Sequence, residues 1–557
     1  MTQPSQDIPA RLAEATRRHQ AGLFDEAASA YQHILGIDPK HAECVHLLGL
    51  AFYQSGRHET GIEKLRQAIA MDPGAARFHA NLGTILTEQS QLDEAISVLQ
   101  RALSLRPNDA NAHYNLGVAA SAHGSIDLAE HCFRETLRFR HDHAAAANNL
   151  ANLLRENGRL EEAIAAFQTV VILKPDTPAA HYNLGTALND AGHMDEAAAS
   201  FHRTLDLAPD HLDAMGNLGC LLGQRRQLGA AIDMLRRAAR IAPEHLHVRT
   251  NLAMMLLANG EMAEGWKEYE WRMRAPHMIE NRTDFGKPQW YGEPASGKTL
   301  FIQPEGGFGD TLQFCRFANL VAARGMRVIL GSPRPLTRLL RTLSSNPLVV
   351  DRNEDLPDFD FYCSGQSLPL ALGTTLETIP GTAPYLFADP ARAAAWRARL
   401  SKYSKLRVGL VWSGNPGRDA IGKALDRRRS VTPEQLIRLF DIPGVIFFSL
   451  QKDDPPPPGR FPMVDVMAEM TDFADTAALI VNLDLVISVD SAAAHLAGAL
   501  GKPVWLLDRF DSCWRWLANR RDSPWYPSMR IYRQPALGHW DPAISEIACD
   551  LRARARG

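Results

Sequence analysis

The chain has 557 residues, 45% apolar and 22% charged, with a formal net charge of −3; this balance is ordinary for a globular protein and leaves no overall basic field to draw it to nucleic acid or an anionic membrane. No apolar run reaches the roughly 18 to 20 residues of a membrane span, and the opening MTQPSQDIPARLAEATRRHQ has no apolar stretch of the secretory type. The seven cysteines form no CxxC pair or Cys/His cluster, so two or three domains in a reducing cytoplasm are expected, with neither a disulfide framework nor a zinc site.

The first half repeats. Proline recurs at Pro39, Pro73, Pro107, Pro175, Pro209 and Pro243, in steps of 34 or 68, with His141 in the skipped slot. Gly49, Gly83, Gly117, Ala151, Gly185, Gly219 and Ala253 keep the same step, as do Ala95, Ala129, Ala163, Ala197 and Ala231. Each unit reads as two amphipathic helices, as in AHYNLGTALNDAG followed by MDEAAASFHRTLDLAP. Small residues let the two helices approach closely, and the proline ends the second. The pattern resembles the tetratricopeptide repeat, which implies an α-solenoid whose stacked hairpins share a core. About eight units cover residues 8–278. The first is degenerate, with Ala13 and Glu14 where later units have Asn-Leu. The last, NLAMMLLANGEMAEGWKEYEWRMR, is larger and more aromatic, as a cap packing on a following domain would be.

Asn81, Asn115, Asn149, Asn183, Asn217 and Asn251 hold one place in six successive units. On solenoid geometry they line the concave face. A carboxamide has one acceptor and two donors, so it can pair with a peptide backbone without reading its sequence. With units about 10 Å apart, one asparagine would meet roughly every third residue of an extended chain. The resemblance extends to protein O-linked N-acetylglucosamine transferases, whose repeats hold acceptor peptides on such a ladder. Asparagine is also common at this place in tetratricopeptide repeats generally, so a helix-packing role stands beside the binding one. A protein or peptide partner in the groove is expected.

The period stops at a linker over residues 279–298, rich in Gly, Pro and charge. Beyond it, short apolar strands alternate with helices. They are TLFIQPE (299–305), RVILGS, PLVVDR and FDFYCS, then LRVGLVWSG (406–414), VIFFSLQ, LVISVD and PVWLLD. TLQFCRFANLVAARG reads as the first helix, and PARAAAWRARLSKYSK (390–405) as a connector. The alternation implies two parallel, doubly wound α/β lobes, residues 299–400 and 401–557, facing a cleft.

Ligands in such sheets bind at the carboxyl ends of strands, near helix N-termini. Two stretches fit. PEGGFGDTLQF (304–314) ends the first strand, passes through Gly306, Gly307 and Gly309, and puts Asp310 at the start of a helix. VISVDSAAAHLAGALGKPVWLL (486–507) ends a strand at Asp490 and opens a helix with Ser491, Ala492 and Ala493. The first amides of that helix lack internal partners, and its small side chains leave room for a diphosphate. His495 lies one turn on. A plain N-cap role for each aspartate, and a buried structural histidine, are the alternative readings.

In motif, order and separation these stretches resemble the bacterial heptosyltransferases, glycosyltransferase family 9, across residues 299–535. GGFGDTLQF is similar to the family's GD loop, and the second stretch to its DTG-x-x-HLA segment. The resemblance implies GT-B architecture and inverting, metal-independent transfer from a nucleotide-sugar, with no further cofactor. It implies Asp310 as general base on the acceptor and Asp490, Ser491 and Ala492 as the donor-nucleotide loop; Ala493 and His495, beside them, are further candidates for donor binding. Gly307 and Gly309 then let the acceptor approach closely. The chain departs from the pattern at Ser491-Ala492, in place of Thr-Gly, and at Asp508-Arg509-Phe510-Asp511, in place of a GPT turn. Both changes touch donor handling, so the sugar stays open.

Inverting transfer also needs positive potential on the departing diphosphate. Arg429, in the run Arg427-Arg428-Arg429, is one candidate, Arg515 between Trp514 and Trp516 another. Gln451 is a candidate contact to base or ribose. A solvated charge run for the arginines, and a core or lobe-interface role for the tryptophans, are the alternatives. A solenoid fused to such an enzyme resembles bacterial protein O-glycosyltransferases, flagellin-modifying ones among them. A protein acceptor held by the repeats is therefore expected first. A glycan- or lipid-directed transferase whose repeats serve assembly, and a non-catalytic scaffold, are the other readings.

Overall fold

The computed structural model describes residues 8–280, 283–351, 353–415, 426–452 and 461–556. The first seven residues (read above for a leader), Asn281 and Arg282 of the linker, and Arg352 of PLVVDR lie outside the described residues. The chain forms two compact units, Met1–Ala214 and Met215–Gly557.

Among the described residues of the first unit twelve helices, from Ile8–Gln20 to Met194–Leu207, pack as successive hairpins. The 34-residue step is a packing device. A Cβ on Gly49 would lie 2.9 Å from Leu65, one on Gly117 2.6 Å from Phe133, and one on Gly185 2.8 Å from Phe201. Each small residue of a first helix is therefore the notch for a large residue of the second. Ala95, Ala129, Ala163 and Ala197 are fully buried on the reverse side of the same contact. The residue before each proline leaves the helical region, as proline demands of its neighbour: Asp38 has φ −129 and ψ 90, Asp72 φ −137 and ψ 85. Arg140, before His141, adopts φ −143 and ψ 85 without one. The hairpin geometry thus sets this turn, and proline only favours it.

The second unit opens with the last repeats, including helices Leu228–Ile241, Leu246–Asn259 and Met262–Tyr269. Two sheets come after them, parallel throughout. The first holds β1 (Thr299–Gln303), β2 (Arg327–Ser332), β3 (Leu348–Asp351) and β4 (Phe361–Ser364), in the order β3-β2-β1-β4. The second holds β5 (Leu406–Val411), β6 (Val445–Ser449), β7 (Met463–Asp465), β8 (Leu485–Val489), β9 (Val504–Asp508) and β10 (Met529–Arg533), in the order β10-β9-β8-β5-β6-β7. This is the doubly wound order, reversing direction between β5 and β8; the smaller sheet reverses between β1 and β4. β8 and β9 are buried along their whole length, which is why they read as unbroken apolar runs. The edge strands β7 and β10 were not anticipated, because their mixed residues show no such run. The single helix expected after β1 is two, Phe308–Phe314 and Phe317–Ala323. At the break Arg316 is buried and donates to the carbonyls of Pro380 and Trp525 and to the Tyr385 hydroxyl.

One hydrophobic core joins both sheets to Leu257, Met262 and Trp266 of the last repeat. That repeat packs on the sheet-bearing lobes, as its aromatic content implied. Trp266 Nε1 donates to Thr374 O at 3.1 Å, and Trp290 of the linker is buried with its backbone N–H on Tyr362 O and its indole Nε1 on Glu293 O.

Candidate active site

Both singled-out stretches lie at the points where their sheets reverse, the crevices where ligands of such sheets bind. In the first lobe the chain leaves β1 through Glu305 and Gly306. Gly306 has φ +78, and a side chain there would meet the Asp310 carboxylate and lie 2.7 Å from Gln366 Nε2; only glycine fits. Gly307 caps the helix Phe308–Phe314 and donates its N–H to Asp310 Oδ2 at 2.8 Å. Glu305 accepts three hydrogen bonds from two residues. Arg272 of the last repeat donates to both its oxygens at 2.7 and 2.8 Å, and Ser364 at the end of β4 donates to Oε2. Tyr269 donates to Gln366 Oε1 at 2.6 Å. None of these supporting residues was singled out from the sequence. Their link is tertiary: the end of the repeat array meets the ends of β1 and β4.

In the second lobe β8 ends at Asp490, and Ser491 precedes the helix Ala492–Ala499. Ser491 does not cap that helix; its hydroxyl pairs with Ser488 at 2.9 Å. The amides of Ala494 and His495 donate to the Ser491 carbonyl at 3.1 and 3.4 Å, whereas those of the partly exposed Ala492 and Ala493 have no partner among the described residues. His495 is buried, 2.9 Å from the Tyr526 hydroxyl through Nδ1, 3.8 Å from Asp490 through Nε2, and stacked on Trp516. Burial, then Arg515, pushes its pKa down to about 3, so the ring is neutral.

The two lobes meet here. A Cβ on Gly309 would lie 2.9 Å from the His495 ring. This corrects the expectation that Gly309 makes room for an acceptor, because the room is filled by the opposite lobe. Gly307 is exposed, and a Cβ there would meet only the Asp310 carboxylate, at 3.7 Å. Arg515 reaches across and donates to Asp310 Oδ1, and its Nε donates to Gln313 Oε1 at 2.7 Å. The guanidinium singled out as a donor ligand thus has a protein partner on each nitrogen, Cys513 Sγ being the third. Burial works against its charge, but Asp310, Cys513 and Tyr269 outweigh that and hold its pKa above the ordinary arginine range. The buried donors Gln313 Nε2, Trp514 Nε1 and Trp516 Nε1 have no partner among the described residues.

The other candidates divide. Arg429 lies over Gly414, just beyond β5, bonded to Asp426 at 2.9 Å and to the Asn415 carbonyl. It stands across the β5–β8 reversal from Asp490. Arg427 is exposed, and Arg428 pairs with Asp511 at 3.3 Å. Gln451 is buried, its carbonyl taken by the amides of Trp412 and Ser413 at 3.3 and 3.1 Å. It fixes the end of β5, and that acceptor is not free for a ribose.

The asparagine ladder is half-buried. In the first unit each amide reaches one repeat back: Asn81 to His46, Asn115 to Thr84, Asn149 to the Tyr114 hydroxyl and Asn183 to Asn148, at 2.7 to 3.5 Å. The amide nitrogen can only donate, so His46 accepts through Nε2; burial, then Arg77, holds its pKa down to about 4 and keeps that lone pair available. Asn217 and Asn251 hold the same place in the second unit. Asn149 also lines a cleft of about 320 Å³ with Val118, Ser121, Asn152 and Glu156.

A model of glycosyltransferase family 9 (heptosyltransferase) matches residues 458–507, the stretch that carries Asp490 and His495. Tetratricopeptide-repeat models match residues 83–124, 114–178, 149–211 and 211–246. The chain joins tetratricopeptide repeats to a glycosyltransferase family 9 segment. Protein FlbA of Caulobacter vibrioides is 31% identical over 330 residues, 54% of this chain and 54% of FlbA, so the match spans about half of that relative. Among solved structures YrrB, described as a TPR protein with an unusual peptide-binding site, is 24% identical over 33% of this chain and 95% of its own, with a TM-score of 0.31. PilF of Pseudomonas aeruginosa is 22% identical over 37% and 93%, with a TM-score of 0.34.

Proposed function

We propose that this chain is an inverting, metal-independent GT-B glycosyltransferase that moves a sugar from a nucleotide-sugar to a protein acceptor held by its repeats, flagellin being the acceptor proposed. The observation that carries this reading is the meeting of Asp310 and the Asp490 loop, through His495, at facing strand ends. Asp310 takes the proton of the acceptor hydroxyl as that oxygen attacks the anomeric carbon. The bond from that carbon to the diphosphate breaks, and its electron pair leaves with the nucleotide. The open amides of Ala492 and Ala493, at the start of the helix Ala492–Ala499, face the charge that develops there, with Arg429 across the reversal. Asn81, Asn115, Asn149 and Asn183 tie repeat to repeat through their amides, which leaves their carbonyl oxygens to accept from a peptide backbone.

Asp310→Asn is expected to lower transfer about 10²-fold or more with nucleotide binding retained in calorimetry. Transfer at the wild-type rate would remove Asp310 from the reaction. Mass spectrometry of cellular proteins with and without the chain names the acceptor. A mass shift on a saccharide or lipid alone would replace the protein acceptor by the glycan-directed reading.

A further inference from the structure

Three consecutive side chains of the turn Trp514–Trp516 go to three different places. Trp514 packs edge-on against Trp266 and Tyr269 of the last repeat, centroids 5.3 and 5.9 Å apart. Arg515 crosses to Asp310 and Gln313 of the first lobe. Trp516 stacks on His495 of its own lobe at 5.2 Å. The turn is itself pinned. Asp508, at the end of β9, holds Arg533 at 2.7 Å, and Arg533 donates to the carbonyls of Leu517 and Ala518.

Each nitrogen of the Arg515 guanidinium has a partner: Nε on Gln313, Nη1 on Cys513 Sγ at 3.2 Å, and Nη2 on Asp310, with its carbon 4.4 Å from the Trp514 ring centre. A side chain held this way does not swing onto a ligand; it fixes what it touches. Asp310 is likewise held at both oxygens, Oδ1 by Arg515 and Oδ2 by the Gly307 amide. Rotating the carboxylate would break both bonds and release the loop from Gly306 onward.

We propose that Arg515 is the positioning residue of Asp310: it fixes the carboxylate and the Gly306–Asp310 loop only while the lobes are in contact, and Trp514 ties that contact to the last repeat. The catalytic consequence rests on Asp310 being the base, whereas the fixation itself does not. Lysine would carry the charge but, lacking the planar fork, cannot serve Gln313, Cys513 and Asp310 together.

The test is hydrogen–deuterium exchange on the full chain as wild type, R515K and R515Q. Peptides covering residues 304–312 are expected to exchange about tenfold faster or more in R515Q, with R515K between it and wild type and peptides from β9 unchanged. Nucleotide release from a panel of ADP-, UDP-, GDP- and CMP-sugars is expected to show kcat falling about tenfold or more in R515Q, KM little changed, and partial recovery in R515K. Wild-type exchange over 304–312 in R515Q overturns the proposal whatever the turnover. Should R515Q loosen the whole lobe, wild-type exchange in R515K overturns it instead. A panel silent with wild type overturns the transferase reading, and the exchange result still decides the positioning role.

Discussion

His495 shows how one residue's surroundings fix its chemistry. Its folded pKa of about 3 lies below the ordinary 6.5, so the unfolded chain takes up that proton first. The stability it contributes is present above pH 6.5 and is lost as pH falls toward 3. Chemical denaturation of the second unit at about pH 7 and about pH 4.5 is expected to show a loss on the order of a few kcal/mol in wild type. His495→Gln is expected to lose distinctly less over the same interval. An equal loss in both would mean the ring reaches water. The motif HLA located this histidine, but its neutral state comes from Tyr526, Trp516 and Arg515, all at least twenty positions away or on another element. The same limit hid the partner of Asp310, since Arg515 is 205 positions along the chain and no local pattern joins them.

At the scale of elements, the helices Phe308–Phe314 and Ala492–Ala499 approach closely because Gly309 has no side chain. Gly309→Ala would press a methyl onto a ring that Trp516 backs and cannot easily yield. It is expected to cost about 1–3 kcal/mol, read as a lower midpoint for unfolding of the second unit together with weaker nucleotide binding. A midpoint equal to wild type would show that the lobes part at little cost. Elements with a repeating or continuous apolar signal were legible in advance: the hairpins from Pro39 to Pro243, and the strands that became β1, β5, β8 and β9. β7 and β10 were not, because an edge strand is defined by its neighbour more than by its own residues. The side chain of Gln451 reads as a ligand contact in sequence and serves backbone amides in the fold, a choice made by packing alone.

At the scale of the molecule, the repeat array does not end where its period ends. Trp266, Tyr269 and Arg272 belong to the core and polar contacts of the two sheets beyond the linker. A chain beginning at Ala208 keeps all three and is expected to stay folded and monodisperse by gel filtration and circular dichroism. A chain beginning at residue 279 loses them, leaves Glu305 without Arg272 and exposes Trp514, and is expected to aggregate. Equal behaviour of the two would show that the last repeat is dispensable. Loss of protein transfer in the shorter array, with nucleotide release intact, would assign acceptor capture to the residues before Ala208. The notch of Gly49, Gly117 or Gly185 is filled from the same place in each unit, by Leu65, Phe133 or Phe201. Whole 34-residue segments can therefore be copied or dropped without a new fit being invented, so the length of the array is free to drift while the lobes beyond it stay as they are.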